Sequence, residues 1–124
     1  MSKMIQVLIV EPGKPPRLAK TENTWTAFQH IVGGPIEVGC YLPQRVLLIS
    51  NADAEVIGLP PNRATKPNGE YILGTFLLCS FEENSYTSLS ESQQKEFINF
   101  FSAPGTAILL PLREARTGVW KNEF

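Results

Sequence analysis

Ile5–Val10 (IQVLIV) sets the terms for the rest of the chain. Five of its six residues are apolar and four are β-branched, so the segment reads as a central strand. Glu11-Pro12-Gly13-Lys14-Pro15-Pro16 follows at once. Three prolines cannot donate to a ladder, so the chain must turn there. A second run, Tyr71–Ser80 (YILGTFLLCS), reads as the strongest strand after it.

Arg17–Thr21 is expected as a short antiparallel return strand. Asn23 or Thr24 then offers an N-cap, with Trp25, Phe28, Ile31 and Val32 at helical spacing and Gly33-Gly34-Pro35 as the stop. Ile36–Tyr41, Arg45–Ser50 and Glu55–Leu59 are expected as a three-stranded meander, with a turn at Asn51–Ala54. Pro60–Gly69 is a polar, proline-rich loop. A second helix begins at Ser88 or Ser90, since Ser88 with Glu91, or Ser90 with Gln93, makes a capping box. It ends in Phe97, Ile98, Phe100 and Phe101 before Ala103-Pro104-Gly105. Thr106–Leu112 is expected as a short edge strand or extended arm. The order predicts an α+β fold: a mainly antiparallel sheet with two helices on one side, in a single compact domain over 1–112. Residues 113–124 form a tail or strap.

Composition excludes several function classes. With 124 residues the chain supports one domain. A balance of 11 basic to 12 acidic residues argues against a nucleic-acid binder, which needs a basic face. No stretch approaches the ~20 apolar residues of a membrane span, and the first apolar run is too short for a signal peptide. A cytoplasmic protein is expected. Cys40 and Cys79 sit inside apolar runs and read as buried, reduced thiols. With His30 the only histidine, no metal site or cofactor is expected.

Catalytic sets are missing as well. A Ser or Cys nucleophile needs a base, and His30 falls near a helix end, where a cation suits the dipole. There is no HExxH, CxxC, phosphate-loop lysine motif or GxGxxG after a strand. The chain is therefore expected not to be an enzyme. Glu37 follows the double glycine in an apolar strand. It either faces solvent or needs a cation, which Arg45 or Arg63 could supply. Gly58-Leu59-Pro60-Pro61-Asn62-Arg63 is the segment best suited to holding something. Two prolines stiffen the backbone before an amide and a planar guanidinium. That arrangement suits an anionic or nucleotide-like ligand. It equally suits a rigid turn whose Arg63 pairs with Glu37.

Val7-Leu8-Ile9-Val10-Glu11-Pro12-Gly13, Phe28 with Ile31-Val32-Gly33-Gly34 before Ile36-Glu37, Gly58–Arg63, and Ile72-Leu73-Gly74-Thr75-Phe76 occur in that order. Over roughly residues 4–102 the chain thereby resembles the family of domains of unknown function numbered 3846. The resemblance implies a small protein of phages, mobile elements and their hosts, and marks the GGxIE, GLPPNR and GTF segments. Such a setting implies an anti-defence role: a non-enzymatic, homo-oligomeric protein sequestering a small anionic, nucleotide-derived signal. The expected ligand-binding residues are Asn62, Arg63, Arg45, Glu37, Tyr41 and Phe76. The alternative is a protein–protein interaction module that inhibits or redirects a host protein through Trp120 and Phe124.

Overall fold

A computed structural model describes residues 3–64, 71–102 and 113–114. The expected strand or arm at Thr106–Leu112, Trp120 and Phe124, and the second half of the proline-rich loop lie outside the described residues. Strands β1 (Met4–Val10), β2 (Arg17–Glu22), β3 (Ile36–Leu42), β4 (Val46–Asn51), β7 (Phe76–Glu82), β8 (Ser85–Thr87) and β9 (Arg113–Glu114) form one sheet. Its order is β2-β1-β7-β4-β3-β9, with β8 also on β7, and every pairing is antiparallel. β5 (Pro61–Ala64) and β6 (Tyr71–Leu73) make a separate two-stranded ribbon. Helices α1 (Trp25–Val32) and α2 (Glu91–Phe100) complete an α+β fold.

The two helices cover opposite faces of the sheet, not one. Ile5, Val7 and Ile9 pack with Phe28 and Val32 of α1, while Leu8 and Val10 pack with Phe97 of α2 and Phe101. Successive strand residues point to opposite faces, so a strand covered on both sides must be apolar at every position. All six residues of β4 and the first five of β7 are buried. The unbroken apolar runs are the sequence trace of this double cover.

Local signals set the element ends. Thr24 Oγ1 accepts from the Ala27 N–H at 3.1 Å, and Gly33 closes α1 at φ 86°, a left-handed conformation that glycine adopts without cost. At α2 the box uses Ser90 and Gln93: Ser90 Oγ accepts from the Gln93 N–H, and Gln93 Oε1 from the Ser90 N–H. Gln93 is buried and its Nε2 also donates to the Gln44 carbonyl and Ser80 Oγ, so the cap ties α2 to the sheet.

Other expected elements differ. Glu55–Leu59 is no strand; residues 52–58 form consecutive turns, and the meander stops after β3 and β4. Tyr71–Ser80 is two strands, broken where Gly74 sits at φ 75°. A side chain there would also meet Leu59, whose Cδ1 lies 2.6 Å from the position of an added Cβ. The polar break at 82–86 is a hairpin turn, with Glu83 and Asn84 left-handed between β7 and β8. Arg113–Glu114, placed in the tail, pairs with Tyr41 and Cys40 at the outer edge of β3.

Candidate functional site

The stiff Pro60-Pro61 segment does present Asn62 and Arg63, but inward. Pro61–Ala64 forms β5, and the Asn62 and Arg63 side chains enter the core beneath α2. Asn62 Nδ2 donates to the carbonyls of Val10 (2.9 Å) and Gly74 (2.8 Å). Its Oδ1 accepts from Arg63 Nη1 at 2.8 Å. Arg63 Nη2 donates to the carbonyls of Lys14 (2.7 Å) and Phe101 (2.8 Å), and Nε to Phe101 again at 3.3 Å. Arg63 is 0% exposed, and among the described residues no carboxylate meets it. Burial pushes the guanidinium's pKa down from its ordinary value.

Arg63 therefore ties together three parts of the chain: the turn after β1 and the end of α2 through their backbone carbonyls, and β5 through the Asn62 side chain. Phe76 joins the same region as core, edge-on to Phe101 at a ring separation of 5.4 Å. Leu59 packs over Gly74 and the Gly74 N–H donates to the Pro60 carbonyl at 2.7 Å. The GLPPNR and GTF segments thus meet in one structural knot. Among the described contacts Arg63 does not pair with Glu37. Its partners are carbonyl oxygens.

The remaining expected site residues scatter. Arg45 is exposed in the 3₁₀ turn at Pro43–Arg45, left-handed at φ 63°. Tyr41 is half-buried on the α1 face. Glu37 opens on a cavity. That cleft, about 360 Å³, lies between β3, β4 and β6. Glu37 and Gly39 of β3, Ser50 of β4, Glu55 of the following turn and Tyr71 of β6 line it, with Leu48 beneath.

Two details give the cleft chemistry. Glu37 and Ser50 are cross-strand partners, so their side chains leave the sheet on the same face as neighbours. Ser50 is 8% exposed, and its hydroxyl has no hydrogen-bond partner among the described residues. A buried hydroxyl left unpaired costs about 1–3 kcal/mol. Gly39 holds the space beside it, since an added Cβ would lie 3.1 Å from Ser50 Oγ. Asn51 is committed elsewhere: its Nδ2 donates to the Val32 carbonyl at 3.2 Å and its Oδ1 accepts from the Asp53 N–H at 2.7 Å. Sequence reasoning missed Ser50, Glu55 and Tyr71. A serine at the end of an apolar run reads as a strand terminus, and only the β3–β4 register shows it beside Glu37.

The structure thus defines a two-helix α+β domain, with a core knot on one side of its ribbon and an acidic, partly apolar cleft on the other. The family model described as a domain of unknown function (DUF3846) matches residues 5–102, and the chain belongs to that family. No curated protein and no solved structure matches it. Among the described residues, no cluster of His, Cys, Asp or Glu could hold a metal ion, and no helix is long and apolar enough to cross a membrane.

Proposed function

We propose that this protein is a non-enzymatic binder of a small, polar, nucleotide-derived molecule, held in the cleft between β3, β4 and β6. The observation that carries the proposal is the Ser50 hydroxyl, buried on the cleft wall beside Glu37 and without a partner among the described residues. A ligand supplying that missing hydrogen bond recovers its cost. Tyr71, 45% exposed, offers a ring face at the rim, and Leu48, Ile72 and Leu73 offer apolar walls. Glu37 and Glu55 line the cleft, and no cation lines it among the described residues. The ligand's hydrogen-bond donors, rather than its phosphates, then face the protein. In a phage or mobile element, holding such a molecule without turnover would withdraw a nucleotide-derived signal from a host defence pathway.

Thermal unfolding with a panel of nucleosides, nucleotides and cyclic dinucleotides tests the proposal. Ligand at 100 times its Kd adds about 2.7 kcal/mol to stability. A raised Tm with at least one member, lost in Glu37→Gln, is the expected outcome. A flat Tm across the panel at millimolar concentration removes it.

A further inference from the structure

We infer that the cleft reads a guanine base through its Watson–Crick edge; the inference rests on the binding function proposed above and names its ligand class. Glu37 and Ser50 face each other across β3 and β4, so their polar ends stand side by side on one wall. A carboxylate offers two parallel acceptors, and a serine hydroxyl can donate. The wall therefore reads acceptor, acceptor, donor. Guanine alone among the common bases offers the complement on adjoining atoms: N2–H and N1–H donate, and O6 accepts. Adenine opposes the carboxylate with one donor and one bare ring nitrogen. Cytosine brings one donor and two acceptors, which repel Glu37.

The surroundings suit a flat ring. Gly39 and Ser50 leave room at the wall, because any side chain at 39 would crowd the hydroxyl. Leu48, Ile72 and Leu73 are apolar, and Tyr71 stands exposed at the rim. A base slides between such surfaces with its edge on the polar wall and its sugar outward. The Ser50 hydroxyl, without a partner among the described residues, then donates to O6, which gives its proton an acceptor.

Isothermal titration of the full chain with guanosine, inosine, adenosine and agmatine tests this. Guanosine should bind, and inosine, which lacks the N2 amine, should bind about tenfold more weakly or worse. Adenosine should not bind. Glu37→Gln should lose guanosine and gain adenosine, because a carboxamide offers the acceptor–donor pair that adenine's edge requires. That exchange of preference cannot come from misfolding. Ser50→Ala should weaken guanosine about tenfold and leave Tm unchanged or raised. Equal binding of inosine or adenosine by the natural chain overturns the assignment to guanine but spares the binding function. So does Glu37-dependent binding of agmatine without guanosine. Absence of binding by every compound, in the natural chain and both variants, overturns the guanine assignment, and a flat Tm across the wider nucleotide panel as well overturns both.

Discussion

Arg63 shows how a residue chosen for ligand chemistry can be spent on the fold. Its planar fork reaches the Asn62 side chain and the carbonyls of Lys14 and Phe101 at once. No other side chain delivers donors in that geometry. Lysine carries one ammonium and cannot span three acceptors in two directions. Arg63→Lys is therefore expected to cost about 2 kcal/mol or more, because it leaves buried carbonyls unpaired. Urea denaturation measures it, and a change under about 0.5 kcal/mol would refute the knot. Sequence alone cannot distinguish this arginine from a ligand-binding one. The same Pro-Pro stiffness serves either purpose, and the direction in which it points depends on Gly74 and Leu59, 15 residues apart in sequence.

Elements were legible where a local cause sufficed. The helix N-caps, the glycine stop of α1 and the continuous apolar strands are each written in a few adjacent residues. Non-local causes were not legible. Glu55–Leu59 carries strand-like Val56, Ile57 and Leu59, yet the backbone bends there: the Leu59 N–H returns to the Ala54 carbonyl at 3.0 Å. Nor does an apolar run say whether one helix or two covers the sheet. Of the site, only Glu37 was visible, through its place after the double glycine. Gln93 is the element-scale counterpart of Arg63, since it caps α2 and pins it to the 3₁₀ turn and β7. Gln93→Ala removes the box and orphans two partners, for an expected loss of about 2 kcal/mol. Hydrogen exchange should show it as faster exchange at the start of α2, ahead of β4 and β7. Uniform acceleration across the sheet would contradict that view.

Across the whole molecule, the double cover isolates the middle of the sheet from water. Cys79 lies there, and burial pushes its thiol up to about 12, from 9.0 when exposed. The unfolded chain loses this proton first as pH rises, so the native state is favoured fully below about pH 9 and progressively less between 9 and 12. Alkaline denaturation curves should fall through that window, with a shallower slope in Cys79→Ala. Peptide mapping after iodoacetamide should find the Cys79 peptide unmodified until denaturant is added. Modification in the native protein would contradict the burial. Phe97 and Phe101 are consumed by this core and offer no surface for self-association. Light scattering on the intact chain determines its assembly.

The bulge between Val38 and Cys40 links these scales. It shifts the parity of β3, so Val38 and Tyr41, three residues apart, both pack toward α1, while Glu37 and Gly39 look into the cleft. With Leu42 anchored in the core under α2 five positions on, strict alternation would put Glu37 on the α1 face, and the bulge returns it to the cleft. Ironing the bulge out at unchanged length would turn Glu37 away from Ser50, whereas removing Gly39 would restore alternation with Val38 still opposite Ile49 and Cys40 opposite Leu48, leaving Glu37 paired with Ser50. The bulge, rather than the length of β3, thus keeps the site on its face.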